Sequence, residues 1–526
     1  MLVLVGCAST TSPTGGPKDE TPPRLIDSNP RNNQKNFSSQ TLELTFSELI
    51  KLKDPKEEIL ITPSVGKNTK FTVRKNKLLI EPEFAWQENT TYSISFRDGV
   101  QDLTEGNPAE NLRLAFSTGP VIDSLSISGS VREALSEKIP EKITVAIYQA
   151  DTFNIFNQPP VYFTKASKTG TFSIQNLKSG NYYIYAFDDK NKNLKVDSKT
   201  EKFSFKAKPI QVAMNTDSVE LTLFQMDSRP LQLTSIRNSE KTSRVRFNKG
   251  IDSLHIQSSK PILYNFGEST SELIFYHLSN QNDSIAIKLF AKDSLTHTID
   301  STFFISKSAT KMVSESFAVK EVSETYNHAK RVYTHRVSIN KPITKLISDS
   351  IYVRIDSARR IGFDQNNFTY DTLRHSITTS FTIPVDTAKK PAPTILYYRK
   401  SAFVSIENDT SKQSSKEIKF LKDDETGIVS VKVETTKSNY VIELLSTDDK
   451  VIDRVSNTKD FLFRFVKPGD YKVRYFIDLN NNGRWDVGNF SAGKENEPIY
   501  YYKSEEGKYT FPIRANWEYG PILIKF

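Results

Sequence analysis

The sequence has very little cysteine and methionine, with one Cys and four Met in 526 residues. A single cysteine excludes a disulfide framework, and we expect no cysteine nucleophile. No apolar run approaches the roughly eighteen residues that a membrane-spanning helix needs. The H-E-x-x-H, G-x-S-x-G, phosphate-loop and dinucleotide fingerprints are missing too. These absences argue against a helical membrane protein and against the common enzyme classes, so we predict that the protein is not an enzyme.

The chain also lacks a strong excess of one charge, because 71 Lys and Arg residues face 62 Asp and Glu residues, for a net charge of +9. The densest basic cluster, Arg74, Lys75 and Lys77, falls at a predicted turn. Nucleic-acid binding would need a basic stripe with interleaved aromatic residues. We therefore predict no nucleic-acid partner.

The six histidines form no pattern of metal ligands. His328 and His335 lie seven residues apart, and we interpret both as solvated surface residues. Acidic neighbours such as Glu57 and Glu58 would point to opposite faces of a strand, which makes them poor acid–base pairs. A hydrolase site assembled from distant residues is therefore the least favoured functional hypothesis.

The sequence around the single cysteine predicts a lipid anchor. "LVGC" (4–7) resembles the bacterial lipobox, in which the cysteine receives a diacylglycerol and becomes the new N-terminus. Residues 1–7 would then be a truncated lipoprotein signal, because the basic start and most of the apolar stretch of a full signal are missing. Residues 8–23 are rich in Ser, Thr, Pro and Gly and are predicted to form a flexible tether. The alternative for Cys7 is a buried structural cysteine, which its place before a tether does not favour.

Residues 24–120 alternate apolar and polar side chains in short runs, which is the period of half-buried strands. The motifs "PPRLIDSNP", "LTFSELI", "NTTYSISF", "GVQDLTEGN" and "AFSTG" follow one another. In this order they resemble the bacterial Ig-like domain of S-layer and surface proteins. The resemblance implies an antiparallel β-sandwich that has no catalytic role and serves in spacing and protein contact.

Two parts of the chain repeat one another. "GDYKVRYFIDLNNNGRWD" (469–486) aligns without a gap with "GNYYIYAFDDKNKNLKVD" (180–197). Such a repeat indicates one structural unit used twice, here strand, Gly-containing turn, strand and polar loop. The hairpin "GTFSIQNLKSGNY" (170–182) resembles the transthyretin-like, carboxypeptidase-regulatory or Cna-B-type sandwich. We assign residues 121–228 and 428–526 to two such sandwiches.

The middle of the chain carries weaker signals. "RVRFNKGID" (244–252) and "HRVSINKPITKL" (335–346) both echo "LTFSELIKL" of the Ig-like region. We predict two more sandwiches at 229–312 and 313–427, and a long loop or linker at the polar run 407–419. The predicted fold is thus all-β, a tandem array of four to five antiparallel Ig-like or transthyretin-like β-sandwiches after a flexible lipidated tether.

The polar loop of the second repeat has the oxygen spacing of a calcium loop. Calcium takes about six to eight oxygens, which the odd positions of a tight loop supply, with Gly at position 6. Gly483 fits, but Asn489 stands where the bidentate Glu of position 12 would be, so binding would be weak. The expected ligands are the side chains of Asp478, Asn480, Asn482 and Asp486 and the carbonyl of Arg484.

The loop of the first repeat is a poorer calcium candidate. Leu194 stands at the glycine position, and three lysines in the loop repel a cation. At both loops the alternative is a hairpin turn closed by side-chain to backbone hydrogen bonds, with Trp485 packing back on the second sandwich. Calcium is the only cofactor that the sequence suggests. The ligands of the first loop would be Asp189, Asn191, Asn193 and Asp197.

Asp followed by Ser or Thr and then a small or apolar residue recurs along the chain. The pattern resembles the three-residue O-glycosylation signal of Bacteroidota, which would fit an exported protein. The alternative is a turn that opens a strand, for which Asp-Ser is common. The aspartates of this pattern are Asp123, Asp217, Asp252, Asp283, Asp293, Asp300, Asp349, Asp356, Asp371 and Asp386.

We predict a lipid-anchored outer-membrane protein of a Bacteroidota-like bacterium, at the cell surface, with the periplasmic face as the alternative. It would be a scaffold or accessory subunit of an envelope assembly for secretion, surface export or outer-membrane-protein biogenesis. Its expected partner is an integral outer-membrane β-barrel or another envelope protein. The alternative is a surface adhesin or glycan-binding module, for which Tyr500, Tyr501 and Tyr502 beside Trp517 are the candidate aromatic cluster. The competing interpretation of these four residues is strand core.

Overall fold

The computed structural model describes the chain from residue 19 onward, apart from short internal segments. Cys7 and the residues up to 18 lie outside the described part. Strands make up 51% of the structure and helices 3%, which confirms the all-β prediction. The described ranges are 19–136, 138, 142–149, 153–277, 284–310, 315–327, 331–356, 359–383, 393–419 and 423–526.

The first sandwich has nine strands and one short helix. They are β1 (Leu25–Asn29), β2 (Leu42–Phe46), β3 (Ile50–Leu52), α1 (Pro55–Glu58), β4 (Leu60–Thr62), β5 (Lys70–Arg74), β6 (Lys77–Glu81), β7 (Thr91–Ser95), β8 (Val100–Asp102) and β9 (Arg113–Ser117). The sheets β1-β2-β6-β5 and β4-β7-β9 enclose one core, and β3 pairs with β8. Leu42, Leu44 and Phe46 are all 0% exposed, so the predicted alternation places them inside.

The second sandwich has eight strands in two sheets. They are β10 (Leu125–Glu133), β11 (Thr144–Gln149), β12 (Tyr162–Lys165), β13 (Thr171–Leu177), β14 (Gly180–Phe187), β15 (Phe203–Phe205), β16 (Ile210–Val212) and β17 (Thr216–Leu223). One sheet has the order β13-β10-β17, and the other has β12-β11-β14-β15 with β16 also on β14. The first and last strands, β10 and β17, run parallel, which the sequence analysis did not anticipate.

The third sandwich has seven strands. They are β18 (Leu233–Asn238), β19 (Thr242–Phe247), β20 (Ser253–Ser258), β21 (Leu263–Phe266), β22 (Glu272–Tyr276), β23 (Ile285–Lys292) and β24 (Thr298–Ile305). They form two sheets, of order β18-β19-β22-β21 and β20-β23-β24.

The fourth sandwich has ten strands. They are β25 (Val319–Asn327), β26 (Val332–Ile339), β27 (Ile343–Leu346), β28 (Ile351–Arg354), β29 (Arg360–Gly362), β30 (Phe368–Asp371), β31 (Ser376–Thr382), β32 (Thr394–Tyr398), β33 (Phe403–Ser405) and β34 (Ser414–Ile418). The sheets are β25-β26-β31-β30, β29-β28-β32-β34 and the pair β27-β33. Short 3₁₀ helices lie at Ser348–Ser350, Gln365–Asn367 and, before the fifth sandwich, Asp423–Glu425.

The fifth sandwich repeats the topology of the second. Its strands are β35 (Gly427–Glu434), β36 (Tyr440–Ser446), β37 (Val451–Ser456), β38 (Asp460–Val466), β39 (Gly469–Ile477), β40 (Ile499–Tyr501), β41 (Phe511–Ile513) and β42 (Glu518–Lys525). The sheets are β38-β35-β42 and β37-β36-β39-β40, with β41 also on β39. Here too the first and last strands run parallel.

The weak sequence echoes in the middle of the chain have a structural basis. The motifs begin in β2, β19 and β26. Each of these is the second strand of a four-stranded sheet of the same order, and each pairs with the preceding strand through a register shift. A shared bulge at an equivalent strand pair therefore links the three sandwiches.

The polar run 407–419, predicted to be a long loop or linker, is a loop only in its first half. Its second half forms β34, which lies at the edge of its sheet and pairs with β32. Four of the five side chains of β34 are not buried, so an edge strand of this kind has no apolar alternation for the sequence to reveal.

One distortion recurs in the two repeated sandwiches. Asn176 and Phe465 occupy equivalent positions and both have φ 59°. The residue that follows each, Leu177 or Val466, is buried in the core. Asn tolerates the left-handed region, whereas Phe adopts it at a cost, so the second copy keeps the backbone shape although its sequence departs from the first.

The chain forms two compact units, each with its own hydrophobic cores. The first comprises the residues up to Ser228 together with Val487–Asn496, and the second comprises Arg229–Asp486 and Glu497–Phe526. Five separate hydrophobic clusters correspond to the five sandwiches. Among the described residues, no helix has the length and apolar character to cross a bilayer.

Candidate functional site: two Asx loops

The second candidate calcium loop, 478–486, closes on itself through side-chain to backbone hydrogen bonds. Asp478 is buried, and its carboxylate accepts from the N–H groups of Asn482 at 3.0 Å and Gly483 at 2.7 Å. The side-chain oxygen of Asn482 in turn accepts from the N–H of Arg484 at 2.7 Å. Gly483 has φ 73°, the left-handed region that glycine adopts freely.

Asp486 joins the same cluster from the other end of the loop. Its carboxylate accepts hydrogen bonds from the side-chain amides of Asn480 and Asn482. The four side chains predicted as calcium ligands are thus brought together. A cation among them would require both amides to turn their oxygens inward, and would compete with the backbone N–H groups that those oxygens now accept from.

A buried glutamate that the sequence analysis missed supports this loop. Glu497 is 0% exposed, and its two carboxylate oxygens accept from the N–H groups of Leu479 at 2.7 Å and Asp486 at 2.9 Å. Its carbonyl accepts from the indole N–H of Trp485 at 2.8 Å. Burial raises the pKa of Glu497, and the nearby charges of Asp486 and Asp478 raise it further.

The first loop has the same hydrogen-bonding pattern. The carboxylate of Asp189 accepts from the N–H groups of Asn193 at 2.9 Å and Leu194 at 3.0 Å. Leu194 has φ 58°, so a leucine takes the backbone conformation that Gly483 takes in the second loop. The loop geometry therefore does not depend on the glycine, and it forms in both copies.

Glu201 is the counterpart of Glu497 in the first copy. It is also 0% exposed, and its carboxylate accepts from the N–H groups of Lys190 at 3.0 Å and Asp197 at 2.8 Å. The two glutamates were missed because the connection before them differs in length, three residues after Asp197 and ten in the second copy. An alignment without gaps ends before it reaches them.

Positive charge surrounds the first loop. Lys192 forms an ion pair with Glu57 of the first sandwich, and the Lys67 ammonium donates to the carbonyl of Asn193 at 3.3 Å. A cleft of about 430 Å³ adjoins the loop, with apolar walls and four lysines in its lining. Burial lowers the pKa of one of them, Lys165. This setting disfavours a cation, and the first loop instead contacts the Ig-like sandwich.

Calcium at the second loop stays a prediction. The described residues contain no group of three or more His, Cys, Asp or Glu that could hold a metal ion, although Asn and carbonyl ligands are outside that definition. The guanidinium of Arg454 donates to the carbonyl of Gly483 at 3.0 Å, which places a positive charge beside this loop as well. Any calcium affinity must therefore overcome one charge of the same sign.

The ten-residue connection of the second copy, 487–496, belongs to the first compact unit. There the ring of Phe490 lies edge-on to four aromatic rings, with centroid distances of 5.1 to 6.3 Å. Glu495 accepts from the Ala207 N–H at 2.9 Å and the Lys206 ammonium at 3.1 Å. The segment thus covers the aromatic outer face of the second sandwich. The four rings are those of Phe156, Tyr185, Phe203 and Phe205.

The interpretation of His335 as a solvated residue is wrong. It is 3% exposed, and its Nδ1 lies 2.8 Å from the hydroxyl of Tyr398. It was misread because its strand presents it to the core between two apolar residues. Burial lowers the pKa of His335, which favours the neutral ring. His328 lies outside the described residues.

A second buried polar group joins Lys249, Asp293 and His297. Asp293 is 3% exposed, and its carboxylate accepts from the Lys249 ammonium at 2.5 Å and from His297 Nδ1 at 2.9 Å. Burial raises the pKa of Asp293, but the hydrogen bonds from Lys249 and His297 lower it more, so it lies below its usual value. These contacts compensate the carboxylate charge inside the fold, which is a structural role.

The residues nominated for glycan stacking have different environments. Tyr500, Tyr501 and Tyr502 are half-buried, and Tyr502 packs against the core of its sandwich. Trp517 is 59% exposed and lies 4.9 Å from the guanidinium of Arg514. The tyrosines therefore contribute to strand packing, and Trp517 is the exposed member of the set.

The Asp-Ser and Asp-Thr pattern remains open to both interpretations. Asp283 and Asp386 lie outside the described residues. Ser124 and Ser284 directly precede β10 and β23, as a turn before a strand requires, yet both are exposed, as modification requires. The exposed hydroxyl residues of the pattern are Ser124, Ser218, Ser253, Ser284, Ser294 and Thr372.

Comparison with known proteins identifies the first sandwich. No curated protein matches the chain. Latent dimeric PorU from Porphyromonas gingivalis is 11% identical at a TM-score of 0.23, over 52% of this chain and 35% of PorU. The major pilin subunit BcpA of Bacillus cereus is 10% identical at 0.13, over 77% and 99% of the two chains, and SGBP-B of the Bacteroides ovatus mixed-linkage glucan utilization locus is 11% identical at 0.15, over 65% and 84%. These scores are too low to carry a functional comparison. Residues 19–118, in contrast, match the family model of the bacterial Ig-like domain, which identifies this part of the chain as an Ig-like domain.

Proposed function

We propose that this protein is a non-enzymatic outer-membrane lipoprotein and acts as a multidomain scaffold or accessory subunit of an envelope assembly. One observation carries the proposal. A single cysteine in a lipobox-like setting is followed by a Ser/Thr/Pro/Gly-rich stretch and then by five sandwiches with separate hydrophobic cores.

The anchor would be the modified Cys7. A lipoprotein carries more than one acyl chain, which holds a protein on a bilayer stably where one chain is marginal. Among the residues that the structure describes, no helix could span a membrane. The proposed partner is an integral outer-membrane β-barrel or another envelope protein.

The sandwiches would act through their surfaces rather than through chemistry. Both Asx loops are closed by their own hydrogen bonds. The first of them also contacts the Ig-like sandwich through the ion pair between Lys192 and Glu57. The buried Asp293 is compensated by a lysine and a histidine. Each of these carboxylates has a structural role, which supports a scaffold rather than a catalytic function for these groups.

Fractionation of cells tests the anchor. Wild-type protein should pellet with outer membranes in high salt, and Cys7→Ala should move to the soluble fraction, because salt screens charge contacts and leaves acyl anchoring intact. A Cys7→Ala protein that still pellets after the salt wash contradicts the lipoprotein proposal.

Cross-linking in intact cells tests the scaffold. A specific cross-link between the wild-type protein and a β-barrel supports the proposal. A purified protein that turns over peptide, ester, glycoside or phosphate substrates, and loses that activity when one Asp, Glu or His is changed, contradicts the non-enzymatic part.

A further inference from the structure

The outer face of the sheet β29-β28-β32-β34 carries stacked rings and guanidinium groups. Tyr352 and Tyr397 stack across β28 and β32 with centroids 5.2 Å apart. The guanidinium of Arg354 lies 5.1 Å from the ring centre of Tyr397. Those of Arg360 and Arg399 lie 4.8 Å and 5.2 Å from the ring centre of Tyr352. These five residues are called the Arg–Tyr face below.

Strand geometry puts the five residues on one side of the sheet. Tyr352 is paired with Tyr397, and Arg354 and Arg399, each two residues further along the extended chain, point the same way. Arg360 is paired with Arg354 on the neighbouring strand. Val353, which lies between Tyr352 and Arg354, and its strand partner Leu396 are both 0% exposed, so the core lies on the opposite side.

The positive charge of the Arg–Tyr face is not compensated within the described residues. Its three arginines are exposed, and none of them forms an ion pair with an acidic side chain in the described part of the chain. Arg359 and Arg374, close by in sequence, instead pair with Asp356 and Asp371. Three unpaired guanidinium groups on one sheet face are complementary to a negatively charged surface.

The shape and chemistry of this face favour a protein partner over a sugar or a small molecule. Small-molecule sites are concave, whereas this is the open face of a sheet. The tyrosine rings already contact one another and the guanidinium groups, which leaves little ring surface for stacking a sugar. The free edges of stacked guanidinium groups donate two parallel hydrogen bonds to a carboxylate. Arg and Tyr are also enriched among the residues that dominate protein interfaces.

We propose that the Arg–Tyr face is a docking surface for an acidic segment of a partner protein, whose Asp and Glu carboxylates pair with Arg354, Arg360 and Arg399. The inference rests on the proposed scaffold function for its biological setting and names the chemistry of the partner. Binding can be measured without a membrane, so failure of the lipid-anchor test would leave this result standing, and the reverse also holds.

Fluorescence anisotropy with a labelled octaglutamate peptide and the full-length protein in detergent tests the proposal. Changing the three arginines of the face together to Gln should raise the dissociation constant by about tenfold or more. Changing them together to Lys should do nearly the same, because Lys keeps the charge and loses the stacked, two-pronged donor. The control changes Arg31, Arg113 and Arg464, which are exposed in other sandwiches, to Gln and should alter the constant by less than about twofold.

Several outcomes would overturn the proposal. They are failure of the peptide to bind at low salt, an Arg-to-Lys variant that binds like wild type, and a control variant that loses as much affinity as the Arg-to-Gln variant. Polygalacturonate that binds more tightly than the peptide with the same dependence on the three arginines would assign the face to an acidic glycan. Circular dichroism of each variant must match wild type, and hydrogen exchange of β28 and β32 provides a second measure that the sheet is intact.

Discussion

Glu497 offers a sharp test of how the second Asx loop is held. Replacing Glu497 with Ala removes the acceptors of two buried N–H groups, those of Leu479 and Asp486. A buried donor left without a partner costs about 1–3 kcal/mol. Relief of the buried charge offsets part of this loss, because burial raises the pKa of Glu497. We expect the loop to lose about 2–4 kcal/mol of local stability.

The isosteric change separates the hydrogen bonds from the charge. Glu497→Gln keeps one acceptor oxygen and loses the other, so we expect a smaller cost of about 1–2 kcal/mol. Because the pKa of Glu497 is raised in the folded state, that state binds more protons than the unfolded chain. The contribution of Glu497 therefore decreases as the pH rises above the unfolded value of about 4.3. The difference in stability between the wild-type protein and Glu497→Gln should therefore decrease as the pH rises.

Hydrogen exchange of the full-length protein is the appropriate assay, since a chain of five sandwiches does not unfold in one step. A loss of about 2–4 kcal/mol corresponds to roughly 30- to 900-fold faster exchange in peptides that cover 478–486. Glu506→Ala, whose side chain is 75% exposed, is the matched control and should change nothing. Glu201→Ala should produce the same effect in the first loop. Unchanged exchange in Glu497→Ala would refute this account of the loop.

Three further predictions concern backbone packing, acid stability and metal binding. Gly129→Ala should destabilise its sandwich by about 1–3 kcal/mol, because a Cβ there would lie 1.9 Å from the carbonyl oxygen of Val219. In the control Gly362→Ala the added Cβ meets no atom within 4 Å, so this change should be neutral. Equal melting temperatures of the two variants would contradict this prediction. The pKa of Asp293 is depressed in the folded state, so this residue contributes stability that is present above its unfolded pKa of about 3.9 and is lost as the pH falls through the folded pKa. Asp293→Asn should therefore reduce the loss of stability at acid pH, measured by urea unfolding followed by hydrogen exchange at that site. If the second loop binds calcium, its exchange should slow in millimolar calcium relative to chelator and Asp478→Ala should abolish the difference, whereas indifference to calcium in the wild-type protein would leave the loop as a hairpin turn.

The predicted site was only partly accessible from the sequence. The spacing of Asp478, Asn480, Asn482 and Asp486 correctly marked a closed loop, because a tight turn brings residues of the odd positions together locally. Glu497 was not identified, because its hydrogen-bond partners depend on where the chain packs back against the loop after a connection of variable length. The Arg–Tyr face was missed because its two tyrosines lie on β28 and β32, which are distant in sequence and are brought together only by strand pairing.

The sequence by itself determined the all-β class, the Ig-like domain, the internal repeat and the two Asx loops. Local alternation of apolar and polar residues, turn residues and short-range spacing indicate these features, and all three depend only on neighbours along the chain. Only the tertiary structure decided that β10 and β17 run parallel, that His335 is a core residue and that residues 414–418 form an edge strand. Each of these depends on which strand lies alongside, and that choice is made by burial and pairing between segments far apart in the chain.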